Sequence, residues 1–150
     1  MRALRDVGRP LMAVVAEDDV EVRYSVAVHL RRLGLEVREA GNGDETMALM
    51  KARRPDLLCL DLSMPVVSGY AVLRWIHGDA ELRSIPVVVV TGRVGLDDYA
   101  TCREFGAAAV IEKPFRAKSL IATVRRLLDL PGANDPASTA PPADEPEAQR

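Results

Sequence analysis

Three stretches of this chain, Leu11–Ala16, Leu57–Asp61 and Ile85–Thr91, are apolar nearly throughout and only of strand length. A strand with no apolar–polar alternation has to be covered on both faces, which is the situation of a parallel sheet between layers of helices. The segments between these runs have the spacing that such helices need. Val20–Leu33 brings Val22, Val26, Leu30 and Leu33 to one side before Gly34 stops it. Asp44 is placed to cap a helix continuing to Arg53, Tyr70–His77 has helical character, and Asp97–Phe105 forms a shorter helix ended by Gly106. Arg116–Leu130 carries Leu120, Ile121, Val124, Leu127 and Leu128 and is the clearest amphipathic pattern in the chain. Leu35–Ala40 alternates apolar and charged residues, as at a sheet edge wet on one side, and Ala107–Glu112 supplies a fifth strand. Five strands alternating with five helices predict an α/β fold with right-handed crossovers throughout.

Sheets of this kind bind ligands outside the carboxyl ends of their strands. Four of the predicted strands end at or just before a reactive group: the run Glu17, Asp18, Asp19, then Asp61, then Thr91, then Lys113. Carboxylates held about 4 Å apart repel by about 4 kcal/mol per pair at an effective dielectric of about 20, and a divalent cation relieves this. An all-oxygen donor set with no neighbouring His or Cys selects a hard ion. Two or three carboxylates completed by water and a backbone carbonyl suit magnesium (Mg2+) better than a full calcium cage. A carboxylate beside such a cation, an ammonium and a hydroxyl is suited to accepting a phosphoryl group, which makes Asp61 the candidate nucleophile. From the residues alone, either Glu17 with Asp18 or Asp18 with Asp19 supplies the remaining metal pair. Each residue also has a plain structural role: helix capping, turn initiation at Asp61, β propensity at Thr91, and a solvated lysine before a proline turn. Those roles do not account for all four groups at one sheet edge.

The 150 residues and their 48% hydrophobic content suit one domain, placed at residues 10–130. Residues 1–9 read as a short extension, and residues 131–150, rich in Pro, Ala and acidic groups, as a disordered tail or a linker. A net charge of −2 provides no general field for nucleic acid. Cys59 and Cys102 lack metal or disulfide spacing and read as reduced thiols. The longest apolar runs fall short of a membrane span and the first ten residues lack a signal-peptide core, so a cytoplasmic protein is expected.

"AEDD", "DLSMP" with Gly69, "VVVVTG" and "EKPF" follow one another with 30 residues from Asp61 to Thr91 and 22 from Thr91 to Lys113. In order and spacing these pieces resemble the receiver domain of bacterial two-component response regulators. The resemblance implies a flavodoxin-like, doubly wound five-stranded parallel sheet of order 2-1-3-4-5 with five helices. By position, Asp61 resembles the phosphoacceptor, Thr91 the switch hydroxyl, and Lys113 the lysine before a cis proline, here Pro114. Aligning Arg23 with the family's first-helix arginine makes Glu17 and Asp18 the metal pair, joined by Asp61 and the backbone carbonyl of Ser63, and leaves Asp19 to cap the helix. The implied partners are a sensor histidine kinase or a histidine phosphotransfer domain, docking at the first helix. An effector protein or an output domain beyond Arg150 and a homodimer through the fourth helix, fifth strand and fifth helix complete the set. Direct contact with membrane or nucleic acid is not implied. Such a domain catalyses its own phosphorylation and dephosphorylation without being a classical enzyme.

Two rival functions come from other classes. A phosphatase would need a second acid–base carboxylate two residues after Asp61, where Ser63 stands. A receiver-like adaptor would be recognised through its helices without phosphorylation. The chain also departs from the family at Val110, where an aromatic that changes rotamer is usual. A β-branched valine is stiff at χ1, so switching is expected to run mainly through Thr91 and the loop after it. Arg93 is expected to screen the acyl phosphate from water. His29 and His77 read as structural or surface residues, and Trp75 as half-packed on the third helix.

Overall fold

The computed structural model describes residues 8–92 and 95–132. The N-terminal extension and the acidic tail fall almost wholly outside these residues, and Arg93 lies outside them too. In chain order the elements are β1 (Met12–Ala16), α1 (Val20–Arg32), β2 (Glu36–Ala40), α2 (Gly43–Ala52), β3 (Leu57–Leu60), α3 (Gly69–His77), β4 (Val87–Thr91), α4 (Leu96–Glu104), β5 (Ala109–Glu112) and α5 (Ala117–Leu128). The sheet order is β2-β1-β3-β4-β5 with every neighbouring pair parallel, the flavodoxin-like arrangement expected.

The three apolar runs become the three central strands, and each of their residues is buried. Successive side chains of a strand point to opposite faces, so each run feeds two cores. On one face Val14, Leu58, Leu60, Val87 and Val89 pack with Met50 of α2, Val72, Leu73 and Ile76 of α3, and Cys102 of α4. On the other, Ala13, Val15, Leu57, Cys59, Val88 and Val90 pack with Val26 and Leu30 of α1 and Leu120 and Val124 of α5. Both cysteines are buried free thiols. No helix among the described residues is long and apolar enough to cross a membrane.

The element ends differ from the sequence reading where a specific hydrogen bond or ring decides. The cap of α2 is Asn42, whose side chain accepts from the Glu45 N–H at 2.8 Å, while Asp44 sits inside the first turn. β4 begins at Val87 and not at Ile85, since Pro86 has no N–H to give the ladder. β5 begins at Ala109 and not at Ala107. Gly106, at φ 83°, and Ala107 donate to Arg103 and Cys102 at 3.0 and 2.9 Å, so both still belong to the close of α4. The start of α1 follows expectation, with Asp19 accepting from the N–H groups of Glu21 and Val22 at 2.9 and 3.1 Å. Asp19→Ala should cost about 1 kcal/mol in urea denaturation, because two N-terminal donors of an exposed helix end lose their acceptor.

Candidate functional site

β1, β3, β4 and β5 all run the same way, so their last residues reach one edge of the sheet. There Asp61 follows β3 directly and is buried, with its N–H held by the carbonyl of Ala16 at 3.0 Å. Its Oδ1 accepts from the Thr91 hydroxyl at 3.0 Å and from the Ser63 N–H at 3.2 Å. Its Oδ2 lies 3.6 Å from the Lys113 ammonium. Lys113 is fixed by its own backbone, donating to the Thr91 carbonyl at 2.7 Å, and a cis peptide joins it to Pro114.

The tightest ion pair of the pocket is a different one. Lys113 Nζ stands 2.7 Å from Glu17 Oε1, and Glu17 Oε2 accepts from the Asp19 N–H at 3.1 Å. Arg23 donates to the Glu17 carbonyl at 2.9 Å and fastens the turn between β1 and α1. Glu17 is buried and Asp18, beside it, is exposed. Burial pushes the Glu17 carboxyl up to about 7, against the pull of the Lys113 hydrogen bond and the Asp19 N–H and with a further push from the charge of Asp61. For Lys113, burial acts downward, but the hydrogen bond it donates to Glu17 and the Asp61 charge outweigh it and hold the ammonium above the ordinary lysine range. Two buried carboxylates, Glu17 and Asp61, thus share the single ammonium of Lys113.

Carboxylate oxygens of Glu17, Asp18 and Asp61 all lie within 4.8 Å of one another. The ligand atoms of this cluster are all carboxylate oxygens, the pattern of a hard divalent cation, and one of the three side chains is open to water, which leaves room for a partly hydrated ion such as magnesium. The donor chemistry therefore fits the metal that the motif implies. Asp19 is turned away to its capping role, so the pair beside Asp61 is Glu17 with Asp18. Ser63 enters the geometry through its N–H, on Asp61.

The loop after β3 is shaped by a close approach. A Cβ on Gly69 would lie 2.1 Å from the Asp61 carbonyl oxygen and 2.6 Å from the Leu62 Cα, so only glycine lets α3 begin this near the site. In the same loop Val66 adopts φ 68°, a left-handed conformation that costs a β-branched residue energy, and is 80% exposed.

Val110 lines a cleft of about 420 Å³ between α4 and α5, together with Tyr99, Arg103 and Arg126. His29 is half-buried on α1 beside the segment after β5, and His77 meets Phe105 edge-on at 5.7 Å. Neither histidine belongs to the acidic pocket. Trp75 is half-buried with the Lys51 ammonium 5.8 Å from its ring centre. One contact near the pocket had no signature in the sequence: Tyr70 in the first turn of α3 donates its hydroxyl to Asp98 in the first turn of α4.

A parallel sheet of this order, with acidic groups, a hydroxyl and an ammonium gathered at its carboxyl edge, defines a doubly wound α/β domain whose acidic cluster could hold a metal ion. Comparison with known proteins gives that class its family. Residues 13–125 match the response regulator receiver domain, and the chain belongs to this family. The polar-differentiation response regulator DivK of Brucella anthropi is 38% identical over 95 residues, which are 63% of this chain and 77% of that protein. A probable transcriptional regulator, ycf27 of Cyanophora paradoxa, is 31% identical over 115 residues, 77% of this chain and 47% of that one. The chain thus spans about half the length of several curated relatives it matches. Among solved structures, the signal receiver domain of a signal transduction histidine kinase from Syntrophus aciditrophicus superposes with a TM-score of 0.73 at 32% identity, covering 79% of this chain and 89% of that one. A response regulator structure from Chloroflexus aurantiacus gives 0.75 at 26% identity, over 81% and 99% of the two chains. The protein is a receiver domain of two-component signalling.

Proposed function

We propose that the domain takes a phosphoryl group onto Asp61 from a phosphohistidine of a partner protein. One Asp61 oxygen forms the new O–P bond as the N–P bond to the donor imidazole breaks, leaving an aspartyl phosphate here and a histidine on the donor. The observation that carries this reading is the set of groups around a single buried carboxylate: Thr91 at 3.0 Å, Lys113 at 3.6 Å, and the oxygens of Glu17 and Asp18 within 4.8 Å.

A magnesium ion held by Glu17, Asp18 and Asp61, with the Ser63 carbonyl as a further ligand, would supply charge neutralisation of the phosphoryl oxygens. The side chains do the rest. Lys113 leaves Glu17 for the incoming phosphoryl, and the Thr91 hydroxyl exchanges Asp61 Oδ1 for a phosphoryl oxygen. These contacts, made only in the phosphorylated protein, bias an existing equilibrium at the face of α4, β5 and α5, where an effector, an output domain or a second copy would bind. A change from mostly off to mostly on needs about 5 kcal/mol of such differential contact. The groove of about 550 Å³ along α1, lined by Val22, His29, Pro114 and Phe115, supports docking of the donor at the first helix.

Incubation with acetyl phosphate and magnesium, followed by intact mass measurement, tests the reading: a single added phosphoryl group is expected. Continuous turnover of the free donor well beyond one equivalent of protein would instead indicate a phosphatase, and no adduct would leave the adaptor reading. Lys113→Ala separates two roles of the ammonium. Transfer from acetyl phosphate should slow by about 100-fold, the scale of removing one preorganised positive donor. Magnesium titrated by calorimetry should bind a few-fold tighter, because the cation competing for Glu17 is gone.

A further inference from the structure

We infer that Tyr70 is a positioning residue, which through Asp98 clasps together the starts of α3 and α4 and holds the domain in its unphosphorylated arrangement. This deepens the phosphoacceptor reading above and rests on it. Tyr70 directly follows Gly69, the residue pressed onto the Asp61 carbonyl, so its backbone is fixed to the site's own strand end. Asp98 is the third residue of α4, and α4 starts five residues after Thr91. One oxygen of Asp98 accepts from the Tyr70 hydroxyl, and the other accepts from the Gly95 N–H at 2.9 Å, so a single carboxylate both caps α4 and receives the link from α3.

The clasp matters because side-chain burial gives that end of α4 little hold. Cys102 is the helix's one buried residue, Asp97 is exposed, and Leu96, a large apolar side chain at its start, is 87% exposed. Burial, followed by the hydrogen bond to Asp98, pushes the Tyr70 phenol up to about 12, so it remains a donor throughout the physiological range. The same bond holds the Asp98 carboxyl below the usual carboxylate range, keeping it an acceptor.

A phosphoryl group on Asp61 has to be accommodated beside Thr91, at the end of β4, and the turn that leads to Gly69 and α3. Thr91 is tied to β5 through the Lys113 N–H and the β4–β5 ladder, so the adjustment is passed on to the start of α4 at the Gly95 cap. A bond joining the starts of α3 and α4 opposes that adjustment, and the phosphorylated form reaches its new contacts only by loosening it. With Val110 in place of an aromatic switch, this polar link is the described contact best placed to set how readily the domain responds.

The test is the affinity of the intact protein for beryllofluoride with magnesium, a mimic of the aspartyl phosphate, measured by calorimetry. Tyr70→Phe removes the hydroxyl and keeps the ring. Its affinity should rise about three- to tenfold, the range of a typical coupling between sites. In an Asp98→Ala background the same substitution should change nothing further, since the partner is already absent. Amide exchange at Gly95 should also quicken in Tyr70→Phe without the mimic. Lower stability in urea with unchanged mimic affinity would reduce Tyr70 to a packing residue and overturn the clasp alone. Absence of mimic binding in the unaltered protein would overturn the phosphoacceptor reading and the clasp together.

Discussion

Asp61→Asn is expected to abolish the mass increment that acetyl phosphate and magnesium give the unaltered protein, lowering the rate of acquisition by about a thousandfold or more. An amide oxygen accepts hydrogen bonds from Thr91 and the Ser63 N–H as the carboxylate does, so the packing around position 61 is retained. What disappears is the negative oxygen that attacks phosphorus and one member of the metal cluster. Lys113 keeps its nearer partner, Glu17 at 2.7 Å, and is not left as an unpaired buried charge. Unfolding midpoints in urea should therefore stay close to the unaltered value while phosphorylation is lost. Phosphorylation of the variant at a comparable rate would move the acceptor to another residue and remove the basis of the proposed function.

Gly69→Ala should be strongly damaging for a single added methyl. The added carbon would stand 2.1 Å from the Asp61 carbonyl and 2.6 Å from the Leu62 Cα, both backbone atoms of a buried strand end that cannot rotate away. The helix gains up to about 1 kcal/mol of propensity from exchanging glycine for alanine, but overpacking against fixed backbone costs about 3 kcal/mol, and the steric term wins. Denaturation by urea should show the loss, and phosphorylation should fall as well because the displaced atoms belong to Asp61. Gly92→Ala is the matched control: nothing lies within 4 Å of its Cβ position, and a change within about 0.5 kcal/mol is expected.

The contrast between these glycines shows where sequence reasoning reaches its limit. Central strands were legible because burial on both faces forces uninterrupted apolar runs, as at Val87–Val90 and Leu57–Leu60. The convergence of Glu17, Asp61, Thr91 and Lys113 followed from chain direction alone, since parallel strands end together. Choices between neighbouring polar residues were less legible: Asn42 and Asp44 are both good caps, and only the extended backbone of Asn42 selects it. The pairing of Lys113 with Glu17 depends on side-chain reach within a shared pocket, which spacing along the chain does not encode. Tyr70 and Asp98 lie 28 residues apart on two helices, each polar residue ordinary in its own pattern, and their contact exists only once α3 and α4 are seated beside one another.

The sheet order has a further outcome for how the chain matures. Glu17 and Lys113 reach each other only after β1, β3, β4 and β5 have all been laid down in register, and such nonlocal parallel pairings form late and slowly. An intermediate without β4 and β5 can already gather Glu17, Asp18 and Asp61 at the paired ends of β1 and β3, but it lacks the Thr91 hydroxyl and the Lys113 ammonium. If Asp61 is the acceptor, as proposed, full competence to be labelled would then read out completed folding, with a newly made or partly melted copy expected to respond poorly until its last strand has docked.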